Sequence, residues 1–248
     1  MAVVTKPLPP PLPPGERTVG QVIAESIRLY GRRFLASLVL GLPIAAITQI
    51  SVGHSLSAQT LILWIATPFL TAAYLRAVVI ASPKPLPRTA LVRAYLVGLV
   101  VFLPVPMLLR LYLLPALAWL ALFGLAVPAA AHEGLGFRDA LARGRRLASA
   151  DYVHALGSLC ALAIVYFVTR VMLVLLLHGQ ADSAARTAAF LADVVLSPLL
   201  YLGAALVYFD QAARVVDSGT RSRRKRDADV HPAVDAHGSG RPDVEVES

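Results

Sequence analysis

Residues 111–146, LYLLPALAWLALFGLAVPAAAHEGLGFRDALARGRR, decide the fold class of this chain. The first 21 residues of the stretch carry no charge, and four arginines lie within its last nine. A helix of about 20 apolar residues crosses the hydrocarbon core of a bilayer, and arginine collects on the cytoplasmic side. The stretch therefore predicts a membrane-spanning helix followed by a basic cytoplasmic segment.

The same alternation extends in both directions along the chain. Charged residues make up only 15% of the sequence, against about 25% in soluble domains. The third apolar run is short and contains Pro104 and Pro106, so five spans plus a re-entrant segment is an alternative to six. We predict an all-α, polytopic transmembrane helical bundle with six spans, over residues 34–52, 57–81, 94–109, 111–131, 152–178 and 186–209.

The distribution of basic residues predicts the orientation of the bundle. All but three of the 23 lysines and arginines flank alternate connections or the two ends, the exceptions being Arg110, Arg170 and Arg186. The positive-inside rule then places both termini in the cytoplasm. Arginine outnumbers lysine 20 to 3, a bias typical of GC-rich bacterial genomes, so the expected location is the bacterial cell (inner) membrane.

Two segments beside the spans are predicted to be basic amphipathic helices. Residues 18–33 place apolar side chains at three- and four-residue steps, and Thr18 with Gln21 fits a capping box. Residues 136–148 form the second helix. Both helices are expected to lie in the membrane interface and to contact anionic headgroups. The arginines predicted to face lipid are Arg28, Arg32, Arg33, Arg143, Arg145 and Arg146.

The two ends of the chain are predicted to be disordered cytoplasmic tails, which leaves residues 18–216 as the membrane domain. Residues 1–17 are rich in proline, which favours an extended polyproline II spacer. Residues 217–248 hold few large apolar side chains and include the basic run SRRKR at 222–226, so they are not expected to fold.

Charged residues inside spans are costly in lipid, so each marks a candidate site. Arg170 stands eight residues before the end of the fifth predicted span, and Asp193 seven residues after the start of the sixth. Because the short connection makes these helices antiparallel neighbours, we predict an Arg170–Asp193 ion pair about 10–12 Å below the outer surface. The pair could lock the hairpin, or Arg170 could extend outward while Asp193 faces a wet cavity.

Enzyme chemistry finds little support in the sequence. His132-Glu133 resembles the start of a zincin motif, but the second histidine is missing, since Gly136, followed by Phe137, stands at the required spacing. The lone Cys160 rules out an internal disulfide or a thiolate cluster, and no paired carboxylates lie in one run. We therefore expect a non-catalytic protein with no metal and no cofactor. No nucleic-acid motif accompanies the net charge of +8.

Three segments resemble a known bacterial family. RTVGQVIAESIRLYGRRFLASLVL (17–40) is a basic amphipathic helix entering the first span, and VPAAAHEGLGFRDALARGRRLASADYVHALG (127–157) carries a P-x-x-x-x-E-G turn before an arginine-rich helix. SPLLYLGAALVYFDQAARV (197–215) contains a Y-F-D near the predicted cytoplasmic face. Over residues 17–216 the chain resembles the glycerophosphoryl diester phosphodiesterase membrane-domain family, common in actinobacteria. The resemblance implies a stand-alone member in which the catalytic half is absent.

Three charged residues are predicted to have structural roles at the cytoplasmic face. Glu133 is expected to accept hydrogen bonds from the start of the 136–148 helix. Asp210 is expected to pair with Arg214, which follows it by one helical turn.

Two functions remain open on the sequence. The first is a non-catalytic membrane protein of scaffold or accessory type that contacts anionic lipid, a cytoplasmic partner or a second copy of itself. The alternative is a small-solute or lipid transporter with a polar site near Arg170 and Asp193. A polar cavity joining Arg170 to either face of the membrane would favour transport, whereas a dry, packed bundle would favour the scaffold.

Overall fold

The structure, a computed structural model, describes the backbone of residues 13–177, 179 and 181–230, and the side chains in these ranges except at 217–219 and 221–230. Every regular element in this part of the chain is a helix, and it contains no strand, so the predicted all-α class is confirmed. The helices are α1 (Val19–Arg32), α2 (Phe34–Leu38), a 3₁₀ turn (Val39–Gly41), α3 (Leu42–Ser51), α4 (Leu56–Ala81), α5 (Arg88–Phe102), α6 (Val105–Leu111), α7 (Leu113–Phe123), α8 (Ala126–Glu133), α9 (Phe137–Ala150), α10 (Tyr152–Leu176) and α11 (Asp182–Val230).

Six helical stretches of the described chain are long and apolar enough to cross a membrane, as predicted, so the chain has the architecture of a multi-pass membrane protein. Span 3 begins at Arg88 rather than at 94, because its helix starts directly after Pro87 and includes the basic first turns. Its 24 residues give a length of about 36 Å, enough for a full crossing. Spans 1 to 6 are Phe34–Ser51, Leu56–Ala81, Arg88–Leu111, Leu113–Glu133, Tyr152–Leu176 and Asp182–Val216.

The alternation of the spans gives the bundle two chemically different ends. The basic end carries α1, α9, the connection at 82–87 and the C-terminal part of α11. The opposite end carries the connections at 52–55, Tyr112 and 177–181.

Side chains from neighbouring helices donate hydrogen bonds to the backbone carbonyls at a break in span 3. The helix is interrupted at Leu103 and Pro104, where backbone carbonyls lose their helical partners. The indole N–H of Trp119 donates to the Val101 carbonyl at 2.8 Å, and that of Trp64 donates to the Leu103 carbonyl at 3.1 Å. In lipid no water replaces a lost backbone partner, so these two indoles allow the kink to persist.

Small residues bring α8 and α9 into close contact. Ala126, Ala129 and Ala130 of α8 are fully buried. Gly144 of α9 lies against them, and a Cβ at this position would be only 2.6 Å from the Ala126 backbone nitrogen. Close approach of small residues supplies much of the packing between helices in membranes. α9 is therefore packed on span 4 and does not simply lie on lipid.

α1 is amphipathic, as predicted, and packs along α10 and α11. Its Val22 and Ser26 are buried, while Ile27 and Arg32 on other faces are exposed. The predicted capping box is present: the Thr18 N–H donates to the side-chain oxygen of Gln21 at 2.7 Å.

The structure corrects the boundaries of both predicted tails. Residues 13–17 are part of the folded end of the bundle, because their backbone groups bond to α11. α11 itself continues to Val230, so residues 217–230, which the sequence assigns to a tail, are helical in the structure. That segment holds no proline, and its alanine, arginine and lysine residues favour helix. Residues 1–12 and 231–248 lie outside the described residues.

Candidate functional site

The Asp193 cluster contains the ion pair that the sequence predicts. Asp193 is fully buried, and its Oδ1 lies 2.9 Å from Nη1 of Arg170. The Tyr166 hydroxyl donates to the same oxygen at 2.7 Å, and Thr48 Oγ1 donates to Oδ2 at 2.5 Å. Arg170 Nη1 also donates to the Tyr166 hydroxyl oxygen at 3.0 Å. The four side chains form one connected network.

Three spans contribute to this cluster. Tyr166 and Arg170 are four residues apart on α10 and therefore share one face of the helix. Asp193 comes from α11, the other helix of the hairpin, and Thr48 comes from α3 in span 1. Sequence reasoning found the two charged members and missed Tyr166 and Thr48. The available signal was weak: a tyrosine one turn before an intramembrane arginine.

A buried carboxylate is stable only if its charge is paired and its oxygens are hydrogen-bonded. Asp193 meets both conditions through one cation and two hydroxyl donors. The hydrogen-bonding capacity of Arg170 is only partly filled. Its side chain is 28% exposed, and only Nη1 bonds to a residue that the structure describes. A guanidinium has five N–H donors, so several on Arg170 face outward from the cluster.

A cavity of about 390 Å³ begins at this cluster and extends into the bundle. All six spans contribute to its wall, which is almost entirely apolar. Tyr166, Thr48 and Arg170 line one end, and Leu125 and Val207 line the other. The alternative of a wet cavity beside Asp193 is not what the structure shows, since this carboxylate is enclosed by donors and the adjoining cavity is apolar.

The Asp210 cluster lies at the basic end. Asp210 is fully buried, and its Oδ2 lies 3.0 Å from Nε of Arg214, which is the pair that the sequence predicts. His154 Nε2 lies 2.9 Å from the same oxygen. The Gly15 N–H donates to Oδ1 at 2.9 Å. One carboxylate thus joins α10, α11 and the segment before α1.

Arg214 extends this network to two further groups. Its Nη1 lies 3.0 Å from Asp151 Oδ2, and its Nη2 donates to the Arg17 carbonyl at 2.8 Å. Asp151 also caps α10 by accepting the His154 N–H at 3.0 Å. Sequence reasoning missed His154 and Asp151, because neither residue has a sequence signal that separates it from an ordinary interfacial polar side chain.

Glu133 has different partners from those predicted. Its carboxylate accepts from Arg143 Nε at 2.9 and 3.0 Å, and from the Tyr208 hydroxyl at 3.3 Å. The expectation that it bonds the first N–H groups of α9 is wrong. Gly134 adopts a left-handed conformation (φ 65°) that turns the chain away, so that Glu133 faces the second turn of α9.

The six arginines predicted to face lipid divide into two groups. Arg28 and Arg143 have acidic partners within the protein, Glu25 at 3.0 Å and Glu133 at 2.9 Å respectively. Their charges are compensated internally, and lipid contact by any of the six stays a prediction. The remaining four are exposed at the basic end: Arg32, Arg33, Arg145 and Arg146.

These features define a multi-pass helical membrane protein with charged groups enclosed at both ends of its bundle. Among the described residues, no group of three or more histidine, cysteine, aspartate and glutamate side chains could hold a metal ion. Comparisons with protein-family models, with curated proteins and with solved structures find no match.

Proposed function

We propose that the chain is a non-catalytic accessory or scaffold protein of the bacterial cell membrane, with both termini in the cytoplasm. Its basic end contacts anionic lipid headgroups, and this contact orients the surface that a cytoplasmic partner would bind. The observation that carries the proposal is that the exposed arginines at that end are not paired with the acidic side chains there.

Three acidic side chains at the basic end have basic partners within the protein. Asp210 and Asp151 share Arg214, and Glu133 is paired with Arg143. The exposed arginines of α1 and α9 therefore present positive charge that those carboxylates do not cancel. A basic residue beside an anionic membrane surface contributes about 1 kcal/mol of attraction.

Membership of the glycerophosphoryl diester phosphodiesterase membrane-domain family belongs to the same proposal. Three contacts bring the resembling segments together in the structure. α8 and α9, from the second resembling segment, pack against each other, and α1, from the first, packs along α11, from the third. Glu133 and Tyr208, from the second and third segments, are hydrogen-bonded. The three resembling segments thus contact one another at one end of the fold.

Transport of a small polar solute receives less support. A transport path for such a solute needs polar groups along its length, and the cavity beside Arg170 is apolar over most of its wall. The charged groups at that end are also occupied with one another through the Asp193 cluster.

The proposal is tested with the double variant R145Q/R146Q, whose side chains are exposed and whose loss should not disturb packing. We expect phosphatidylglycerol to be displaced from the protein, with a loss of about 2 kcal/mol in lipid affinity. The measurement is native mass spectrometry of protein released from nanodiscs containing phosphatidylglycerol and phosphatidylcholine.

The matched control is R110Q/R186Q, which removes two exposed arginines from the opposite end. This variant should retain phosphatidylglycerol at the wild-type level. Equal retention by both double variants would show that the basic end does not select anionic lipid.

A further inference from the structure

We propose that the cavity beside Arg170 is a binding site for one amphiphilic lipid chain. A hydrocarbon chain would fill the apolar interior, and an oxyanion at its end, carboxylate or phosphate, would accept hydrogen bonds from Arg170. The site is separate from the basic end, so this inference does not rest on the proposed contact with anionic headgroups.

The size and chemistry of the cavity favour a hydrocarbon occupant. Its volume of about 390 Å³ falls in the range of about 300–1,000 Å³ found for small-molecule sites. Interiors are otherwise packed to crystal-like density, and a void of this kind loses the dispersion contacts of its walls. Water does not replace them, because it needs two or more polar partners and most of this wall offers none.

The cavity is long enough to hold a hydrocarbon chain. On α10 its lining runs from Leu159 to Arg170, a rise of 11 steps or about 16 Å along the helix. A lipid chain that enters with its polar end at Arg170 would extend toward the deepest wall of the cavity.

The cavity borders the surrounding membrane. Three of its lining residues are exposed on the outside of the bundle: Leu109 at 38%, Leu113 at 37% and Phe167 at 44%. These residues belong to spans 3, 4 and 5, whose outer surface is apolar. The opening therefore faces the hydrocarbon chains of the bilayer, which favours lipid as the occupant.

Arg170 supplies the only cationic group among the described residues that line the cavity. Its Nη1 is held by Asp193 and Tyr166, so the guanidinium is fixed in orientation. Its Nε and Nη2 bond to no residue in the described part of the chain. Charge-assisted hydrogen bonds from these N–H groups to an oxyanion would hold the polar end of the lipid at the rim of the cavity.

The test uses two photoreactive probes in nanodiscs: palmitic acid and phosphatidylglycerol, each carrying a diazirine in its acyl chain. After illumination, cross-linked residues are mapped by peptide mass spectrometry. We expect labelling at interior wall positions such as Leu120 and Ala163, in addition to the outer surface. Interior labelling by palmitic acid alone identifies a free fatty acid as the ligand, and interior labelling by both probes admits a phospholipid chain.

Two variants make the test specific. A163F places a ring in the cavity and should abolish interior labelling, whereas A161F, two residues away on α10 and outside the cavity lining, should leave it unchanged. R170K keeps the charge beside Asp193 but lacks the planar donor fork, so interior labelling should fall about tenfold. Melting temperatures of all variants check that the bundle is intact.

Labelling confined to the outer surface of wild-type protein would overturn the proposal, and this outcome does not depend on any variant folding. Cross-links between two copies of the chain at the cavity opening would also overturn it, by showing that a second protomer covers the site. Failure here leaves the contact of the basic end with anionic lipid unaffected.

Discussion

At the scale of single residues, the chain shows what an ionised group inside a membrane bundle requires. Asp193 has an arginine and two hydroxyl groups as donors, and all three come from helices that surround it. Removing one donor leaves a buried lone pair without a partner, which costs about 1–3 kcal/mol. The free energy of unfolding should therefore respond to small changes at this point.

Substitution of Thr48 by valine tests this requirement. Valine has nearly the same shape as threonine but no hydroxyl, so T48V should lower the free energy of unfolding by about 1–3 kcal/mol. The measurement is unfolding of the detergent-solubilised protein by SDS. T169V is the control, because the Thr169 hydroxyl is exposed and donates only to the Val165 carbonyl of its own helix. Similar losses in the two variants would mean that Thr48 does not support Asp193.

At this scale the sequence was sufficient to predict the charged residues of the cluster but not the hydroxyl groups that bond to them. The cost of charge in lipid, together with the antiparallel hairpin, was enough to predict the Arg170–Asp193 pair. Thr48 could not be distinguished from Thr71, whose buried hydroxyl has no hydrogen-bond partner among the described residues. Only the tertiary arrangement shows which of the two faces a carboxylate.

At the scale of elements, α9 combines two roles that sequence patterns describe as one. Its amphipathic pattern predicts an interfacial helix, and the exposed Arg145 and Arg146 fit that prediction. Its other face is packed on α8 through Gly144 and the fully buried Leu147. The pattern shows that one face is apolar but cannot show whether lipid or protein covers it.

The contact between α8 and α9 is tested by G144A. The added methyl group would lie 2.6 Å from the Ala126 nitrogen, so the helices must separate. We expect a loss of about 1–3 kcal/mol in the free energy of unfolding, which is typical of overpacking. G20A is the control, because nothing lies within 4 Å of the new Cβ in α1. It should be neutral or stabilising by up to about 1 kcal/mol, since alanine favours helix.

At the scale of the whole molecule, hydropathy was sufficient to predict the number of spans and their approximate positions. The apolar runs are separated by charged or turn-forming residues, and lipid admits few alternatives to a helix. The hydrogen bond from Trp119 to the Val101 carbonyl at the span 3 break could not be predicted from hydropathy, because the two residues are 18 apart and lie in different helices. The extension of α11 past 217 was missed because a polar composition was taken to exclude helix.

The orientation of the whole molecule follows from a labelling experiment. Cys160 is the lone cysteine, so C160S provides a background to which S149C or S183C is added. Ser149 lies on α9 at the basic end, and Ser183 lies at the opposite end. An impermeant maleimide applied to intact spheroplasts should label S183C at once and S149C only after permeabilisation. The reverse pattern would place the basic end outside.

The Gly15 and Arg17 contacts with α11 have a consequence for biogenesis. The segment before α1 and α1 itself leave the ribosome before the six spans, yet Asp210 and Arg214 are made nearly two hundred residues later. Until the sixth span is inserted, the apolar face of α1 has no α11 to cover it. During synthesis α1 must therefore rest on the membrane surface or on a chaperone, and insertion of the last helix completes the structure that the first helix began.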